Sequence, residues 1–254
     1  MKFPTTPKFD LSGKRALVAG SSSGIGLAGA IALAEHGAEV ILAARRTDLL
    51  EDIVVQMTEN GWNARAVTLD VGDVAATAKT VETLGPFDIL LNSAGLARHS
   101  KAVDTQPDDF DAVMNVNLRG AYFLTQAVAK GLIAAGKTGS LINISSQMGH
   151  VGGLDRAVYC ASKFAVEGFT KAMALEFGAH KIRINTICPT FVLTDLTRPT
   201  FEDPEKRAWV LDKIKLGRPS DVEDLMGAVV YLASDASSMM TGTSMLIDGG
   251  WTAD

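Results

Sequence analysis

The sequence predicts an α/β protein, a single Rossmann-type domain over residues 1–254, with helices on both faces of a doubly wound, seven-stranded parallel sheet. Three observations favour this class. Short apolar runs alternate with helical patterns, and no antiparallel signal interrupts them. The runs are continuously apolar, which is typical of strands buried on both faces. Near the N-terminus a strand, a glycine-rich turn and a helix opening follow one another, as in nucleotide-binding folds.

The composition narrows the class of partner. Hydrophobic residues make up 47% of the chain, enough for a large core, and the net charge of −5 gives no reason to expect nucleic acid or an anionic membrane as a partner. Cys160 and Cys188 form no Cys-x-x-Cys motif, which favours a reducing compartment. The start lacks an apolar signal core, and no run reaches membrane-spanning length. We expect a cytoplasmic protein that binds a small molecule and no metal.

The first strand is predicted at residues 15–20 and leads into a glycine-rich turn with the spacing Gly-x-x-x-Gly-x-Gly. Glycines let the backbone approach a pyrophosphate, and the following helix N-terminus attracts its charge. A simple tight turn is the less favoured alternative. The dinucleotide-binding residues predicted here are Gly20, Ser22, Ser23, Gly24, Ile25 and Gly26.

The second strand, residues 39–44, ends in Arg45 and Arg46, where a dinucleotide fold selects between its cofactors. An acid at this point would bind a free ribose 2′-hydroxyl, whereas an arginine accommodates a 2′-phosphate. The nearest acid is Asp48, so the sequence favours NADP(H), with Arg45 as first choice and Arg46 as second. NAD(H) stays the alternative, because both arginines could simply be solvated at a helix start.

The next two strands supply the adenosine side of the site. A helix over 47–59 precedes the strand 64–71, in which Asp70 either contacts adenine or caps the next helix. After a helix over 73–83, the strand 87–95 runs into the small residues Asn92 to Gly95, which leave room for a cofactor.

A long helical stretch, 107–135, carries two asparagines inside its pattern. Asparagine is disfavoured within helices because its amide competes for backbone hydrogen bonds. A residue that breaks a local rule often marks function. We assign that role to Asn117 and place Asn115 on the solvent face.

Residues 139–163 form the centre of the predicted site. The apolar run 141–144 reads as a strand that delivers Ser145 and Ser146, and after a glycine-rich loop a helix carries Tyr159 and Lys163 on one face. A phenol has a reference pKa of about 10, and a neighbouring ammonium lowers that pKa by favouring the phenolate. The arrangement suits proton transfer between an alcohol and a carbonyl. Tyr-x-x-x-Lys alone, however, also occurs often by chance on helix surfaces.

The C-terminal part completes the sheet. A helix (157–178), a strand (181–189), a polar stretch predicted as a mobile flap over the site (about 194–218), a helix (224–235) and a last strand (244–250) follow in order. His99 and His150 could line the mouth of the pocket, but the sequence favours ordinary loop histidines.

These motifs, in this order and spacing across almost the whole chain, resemble the short-chain dehydrogenase/reductase family. The resemblance rests on Gly20-x-x-x-Gly24-Ile25-Gly26, Asn92-x-Ala94-Gly95, Asn117, Ser146 and Tyr159-x-x-x-Lys163. It implies Asn117, Ser146, Tyr159 and Lys163 as catalytic residues: Tyr159 is the acid/base, Ser146 binds the substrate oxygen, Lys163 holds the nicotinamide ribose, and Asn117 holds a water. The further cofactor-binding residues that it implies are Asp70, Val71, Asn92, Ala94, Gly95, Pro189, Val192 and Thr194.

Within the family, the stretches 158–163, 174–185 and 188–194 resemble dicarbonyl/L-xylulose reductases and polyol dehydrogenases. This implies a sugar, polyol or small dicarbonyl substrate. Alternatives are a 3-oxoacyl thioester reductase and, less favoured, a non-catalytic NADP(H)-binding regulator. Family membership also implies a homotetramer, paired through the helices 107–135 and 157–178, in which Phe164, Phe169 and Met173 are the apolar residues expected at the contact. The substrate wall is predicted to comprise Ser146, Gln147, Val151, Arg156, Tyr159, Phe191 and Phe201.

Overall fold

The computed structural model describes residues 3–195 and 197–253. In this part of the chain seven strands form one parallel sheet in the order β3-β2-β1-β4-β5-β6-β7. The strands are β1 (Arg15–Ala19), β2 (Glu39–Ala44), β3 (Ala64–Thr68), β4 (Ile89–Asn92), β5 (Gly139–Ile144), β6 (Ile182–Pro189) and β7 (Ser244–Ile247). The predicted doubly wound sheet is confirmed.

Helices connect the strands and cover both faces of the sheet, so the apolar side chains on each face of the sheet are buried. They are α1 (Gly24–Glu35), α2 (Thr47–Glu59), α3 (Val74–Leu84), α4 (Pro107–Met114), α5 (Ala121–Ala134), α6 (Ala157–Phe177), α7 (Arg198–Glu202), α8 (Pro204–Lys213) and α9 (Glu223–Ala233). In the part of the chain described, no helix combines the length and the hydropathy needed to span a bilayer.

Two hydrophobic cores lie on opposite faces of the sheet, because successive residues of a strand point to opposite sides. In β1, Val18 packs into the core that contains Leu33 of α1 and Val229 of α9. Its neighbour Leu17 packs into the core under α5 and α6. The chain order reverses at β1, where β2 lies on one side and β4 on the other, and ligands of open α/β sheets bind at such a point.

The predicted helix over 107–135 is not continuous. It divides into α4, a π-helical turn over Asn115–Gly120, and α5. Such turns insert an extra residue and occur frequently at functional sites. Asn115, predicted on the solvent face, is half-buried and accepts a hydrogen bond from the exposed Arg119 side chain, with 3.3 Å between Nη1 and Oδ1.

Three predicted strands end earlier than expected. β3 ends at Thr68 and β4 at Asn92, because the residues that follow turn into the cleft at the sheet edge. β7 ends at Ile247 because the Asp248 carboxylate accepts hydrogen bonds from the backbone N–H groups of Gly250 and Thr252 and curls the chain. The predicted flap contains α7 and α8, and Leu196 within it lies outside the described residues.

Candidate active site

A cleft of about 430 Å³ opens at the carboxyl ends of the central strands. It gathers residues that the sequence places far apart, as the switch point of a doubly wound sheet requires. The predicted residues that line it are Gly20, Ser22, Ser23, Gly24, Ile25, Arg45, Arg46, Asp70, Val71, Ala94, Gly95, Ser146, Tyr159, Lys163, Pro189, Val192 and Thr194.

The glycine-rich turn brings bare backbone to the cleft. Gly20 and Gly24 have φ of +77° and +55°, values that glycine adopts without strain. A Cβ on Gly20 would lie 2.6 Å from the backbone nitrogen of Ala94, so no larger residue fits between the two strand ends. Gly26 does not line the cleft; a Cβ there would collide with the carbonyl oxygen of Gly20, so Gly26 lets α1 pack against the turn. The open turn before a helix N-terminus fits a dinucleotide pyrophosphate.

The end of β2 adds positive charge to the same cleft. Arg45 and Arg46 are exposed at its rim, and Arg46 Nη2 donates a hydrogen bond of 2.9 Å to Ser22 Oγ in the glycine-rich turn. The donor set of two guanidinium groups and a hydroxyl fits a phosphate on the adenosine ribose. Asp70 lies across the cleft and accepts a hydrogen bond from the Gly72 backbone N–H at 2.9 Å.

Asn92 supports the cleft from behind and does not line it. The Asn92 side chain is buried, donates from Nδ2 to Asn143 Oδ1 at 3.0 Å, and accepts from the Ala94 N–H at 3.3 Å. Asn143 in turn interacts with Thr125 of α5 through a 3.3 Å hydrogen bond. Sequence reasoning missed Asn143, although an asparagine inside an apolar strand is a signal that could have found it.

Asn117 fixes the loop that follows β4. From the π-helical turn, Asn117 Oδ1 accepts the Leu96 N–H at 2.7 Å, and its Nδ2 donates to the Leu96 carbonyl at 2.8 Å and to Ser162 Oγ at 3.1 Å. The side chain is buried and does not line the cleft. Asn117 thus joins the loop to α6 one residue before Lys163.

Ser146 and Tyr159 meet at the inner end of the cleft. Ser146 Oγ donates to Gln147 Oε1 at 2.8 Å and accepts the Met148 N–H at 3.1 Å. Burial raises the pKa of Tyr159, while a hydrogen bond with Ser146 and the charge of Arg156 act in the opposite direction. The net direction is opposite to the lowering expected from Lys163, because removal of the phenol from water outweighs the nearby charges.

Lys163 lies one helical turn after Tyr159. Its Nζ is 5.6 Å from the Tyr159 ring centroid and donates to the Ile144 carbonyl at 2.9 Å. Burial lowers the pKa of Lys163 to about 8, opposed by Cys188 and Glu167. The ammonium therefore sits between the end of β5 and the phenol, where the sequence predicted it.

Of the predicted substrate residues, Ser146 and Tyr159 line the main cleft, whereas Phe191, Phe201 and Arg156 form an aromatic wall beside Tyr159. Phe191 stacks on Trp251 at 5.7 Å between ring centroids and meets Phe201 edge-on at 6.1 Å. The Arg156 guanidinium carbon lies 5.3 Å from the Phe191 ring centroid. Gln147 is buried beneath this wall, where its Nε2 lies 3.4 Å from Thr190 Oγ1.

Two aromatic neighbours of the site gain a clear place in the structure: Trp251, which the sequence analysis missed, and His99, for which it favoured a loop position. Trp251, from the C-terminal turn, packs against Phe191 and lies 5.4 Å from the Trp209 ring of α8, which ties the flap to the wall. His99 lies edge-on to Tyr159 with 6.1 Å between ring centroids, so it is more than an ordinary loop histidine. Burial lowers the pKa of His99 to about 4, assisted by the charge of Arg156. The chain has only three tryptophans, and their rarity was the sequence signal that could have pointed to Trp251 as a site residue.

A dinucleotide cleft that ends at a half-buried tyrosine and a buried lysine defines a class, the Rossmann-type oxidoreductases that use NAD(P)(H). Residues 19–252 match the family profile described as enoyl-(acyl carrier protein) reductase. The chain belongs to the short-chain dehydrogenase/reductase family.

Known proteins similar to this chain act on sugars and sugar acids, by their names. The chain is 38% identical to L-xylulose reductase of Mus musculus over 243 residues, covering 96% of this chain and 98% of the relative. It is 38% identical to 2-dehydro-3-deoxy-D-gluconate 5-dehydrogenase of Escherichia coli (strain K12), with the same coverage. The crystal structure of a gluconate 5-dehydrogenase from Burkholderia cenocepacia, in complex with NADP and tartrate, superposes with a TM-score of 0.93 at 34% identity, covering 98% of this chain and 99% of the other.

Proposed function

We propose that this protein is an NADP(H)-preferring oxidoreductase that interconverts the ketone and secondary-alcohol forms of a small polyhydroxylated substrate, a sugar, polyol or sugar acid. The observation that carries the proposal is that Ser146, Tyr159 and Lys163 line the same dinucleotide cleft, with Lys163 Nζ 5.6 Å from the Tyr159 ring centroid. The names of the similar proteins support the substrate class.

The preference for NADP(H) rests on the rim of the cleft. Arg45 and Arg46 follow β2 where an acid would favour NAD(H), and Arg46 is already hydrogen-bonded to Ser22 of the turn. Similar structures from Burkholderia cenocepacia and Agrobacterium tumefaciens hold NADP. NAD(H) is the alternative.

In the proposed mechanism Tyr159 gives its proton to the carbonyl oxygen in reduction and accepts it in oxidation. Ser146 donates a hydrogen bond to the same oxygen, where negative charge develops in the transition state. Lys163 holds the nicotinamide ribose and stabilises the phenolate by its charge. Asn117 fixes the neighbouring loop and holds a water that links Lys163 to solvent. The bound cofactor supplies or accepts the hydride.

The aromatic wall suits a substrate that carries a carboxylate. Arg156 is half-buried, rests on Phe191, and donates to the Leu154 carbonyl at 3.0 Å. The remaining N–H groups of its rigid fork match a carboxylate or adjacent hydroxyls. His99 is neutral at pH 7 because its pKa is low, so it is a hydrogen-bond partner for a hydroxyl rather than a second cation.

A panel of substrates tests the proposal. NADPH oxidation is measured with ketoses, keto acids, dicarbonyls and a 3-oxoacyl thioester, in the natural protein and in Tyr159→Phe. We expect turnover of the hydroxylated ketones and a loss of at least 100-fold in the variant, the usual weight of a positioned acid/base. Exclusive turnover of the thioester would favour the acyl reductase alternative, consistent with the description of the matching profile. No turnover of any carbonyl would favour the non-catalytic regulator.

We also propose a cytoplasmic homotetramer. Phe164 and Leu175 on α6 are exposed, at 49% and 86%, and Tyr122 of α5 meets Phe169 edge-on at 5.6 Å. These apolar side chains can pair across a two-fold axis. Phe169 and Met173, predicted for the same contact, are buried within the protomer core. Both cysteines are free, which agrees with a reducing compartment. Sedimentation equilibrium at micromolar concentration tests the assembly, and a monomer would contradict it.

A further inference from the structure

We propose that Glu167 is a positioning residue for the proton-transfer site: its carboxylate is the buried counter-charge that keeps Lys163 protonated and in place. The inference rests on the proposed role of Lys163. Glu167 follows Lys163 by one turn of α6, which puts both side chains on the same helix face. Both side chains are about 5% exposed.

The Glu167 carboxylate is held by three donors from two strands. Oε2 accepts a 3.0 Å hydrogen bond from Thr186 Oγ1 of β6 and another from Ser244 Oγ of β7. Oε1 accepts from Cys188 Sγ at 3.3 Å. An ionised carboxylate only accepts hydrogen bonds, whereas a protonated one must also donate, so this set of partners suits the charged form.

Glu167, His150 and Cys188 form a cluster of titratable side chains beside Lys163, and Glu167 supplies its negative charge. Burial raises the pKa of Cys188 to about 12, and the neighbouring Glu167 adds to the rise, so the Cys188 sulfur is a neutral thiol at pH 7. His150 Nε2 lies 3.8 Å from the carboxylate. Tyr159, the other titratable group beside Lys163, is a neutral phenol at pH 7 because burial raises its pKa. The charge that faces the ammonium is therefore that of Glu167.

Lys163 needs such a partner. Among the described residues its Nζ donates to one recorded acceptor, the Ile144 carbonyl, which carries no full charge. Burial acts to remove the proton, whereas Cys188 and Glu167 both act to retain it. In a water-poor interior this attraction is far stronger than at the surface.

The loop after β5 closes the cluster from solvent. A Cβ on Gly149 would lie 3.1 Å from Glu167 Cγ and 3.2 Å from Ser145 Oγ, so the loop backbone covers the carboxylate closely. The Ser145 hydroxyl is itself buried and lies beside Cys188. The cluster thus lies directly beneath the strand end that carries Ser146.

The deciding experiment compares Glu167→Gln with Ser244→Ala. Glu167→Gln keeps the side-chain shape and one hydrogen-bond acceptor but removes the negative charge. Ser244→Ala removes one of the three hydrogen bonds to the carboxylate and keeps the charge. We expect Glu167→Gln to move the alkaline limb of the kcat/KM profile to lower pH by about one unit, a tenfold loss of rate on that limb. Glu167→Asp should restore part of the shift. Ser244→Ala should leave the limb in place.

A second readout needs no turnover. With 13C-labelled lysine, the Lys163 side-chain signal, assigned by its loss in Lys163→Met, should titrate at lower pH in Glu167→Gln than in the natural protein. Unchanged titration and an unchanged profile, with lower thermal stability alone, would show that Glu167 only fastens β6 to β7 and would overturn the inference. A Lys163→Met enzyme that retains turnover would instead contradict the proposed function, so the two failures are distinguishable.

Discussion

Arg46 Nη2 donates a 2.9 Å hydrogen bond to Ser22 Oγ, and this contact joins the end of β2 to the glycine-rich turn. In a doubly wound sheet a dinucleotide cofactor binds beside both segments. The sequence ranked Arg45 ahead of Arg46 as a phosphate selector, and the structure shows that the Arg46 side chain reaches the turn. A guanidinium fixed in this way is pre-organised for a phosphate.

We predict that Arg46→Ala weakens NADPH binding by at least tenfold, because a charge-assisted hydrogen bond to phosphate contributes about 1.5 to 3 kcal/mol. NADH binding should change by less than twofold. Nicotinamide fluorescence titration measures both constants. Arg65→Ala is the matched control, since Arg65 is a largely exposed arginine on β3 that pairs with Glu39 at 3.5 Å. Equal losses for both cofactors would argue against a phosphate selector.

Most of the fold was predictable because its signals are local. Continuous apolar strands, the glycine spacing and the helix stops predict the seven parallel strands and the helices between them, and the placement of Tyr159 and Lys163 on one face follows from helical periodicity. The π-helical turn at Asn115–Gly120 was not predictable, because it depends on tertiary packing. A Cβ on Gly120 would lie only 2.7 Å from the Val71 carbonyl oxygen, so the helix approaches the end of β3 closely here. No local pattern reports such an approach.

The aromatic wall and the Glu167 cluster were less predictable, because they too depend on contacts between residues far apart in the chain. Trp251 and Phe191 are 60 residues apart in the chain and meet only when β6 and the C-terminal turn come together. Glu167 reads in the sequence as one more helix charge, and its burial follows from Thr186 and Ser244 on β6 and β7. Tertiary contact, not residue type, gives these side chains their roles.

We predict that Arg156→Gln raises KM for keto-acid or hydroxy-acid substrates by about 10- to 100-fold, the loss of a charge-assisted pair, and changes KM for neutral ketoses by less than threefold. Steady-state kinetics with a sugar acid and its neutral sugar counterpart separates the two. Arg98→Gln is the control, because Arg98 lies in the same region of the chain as His99 but is paired with Asp109 at 2.6 Å. An equal effect on both substrates would contradict the proposed carboxylate contact.

A third prediction concerns the close approach at Gly20. Gly20→Ala should lower stability by more than 2 kcal/mol and abolish dinucleotide binding, because its Cβ would lie 2.6 Å from the Ala94 nitrogen at a φ of +77°. Gly61→Ala has a similar φ of +81° but open space around the added carbon, and should cost about 1 kcal/mol. Urea unfolding and NADPH titration of both variants measure the difference, which isolates the steric contact from the backbone conformation. Similar losses in the two variants would refute this assignment.

The last prediction follows from the direction in which folding shifts the pKa of Lys163 in the cofactor-free protein. Folding lowers the pKa of Lys163 from 10.5 to about 8 by burial, so the folded state holds this proton less tightly than the unfolded state does. The penalty is fully present below pH 8 and is relieved as pH rises towards 10.5, because the unfolded state then binds more protons. Lys163→Met removes this titration, although it also leaves the buried Glu167 carboxylate without its proposed partner. The prediction therefore concerns the slope: relative to the variant, the natural protein should gain roughly 1.4 kcal/mol of stability per pH unit above pH 8. Urea midpoints of both proteins, measured in parallel between about pH 7 and pH 9.5, test this, and a constant difference across that range would show that Lys163 keeps an ordinary pKa in the folded protein.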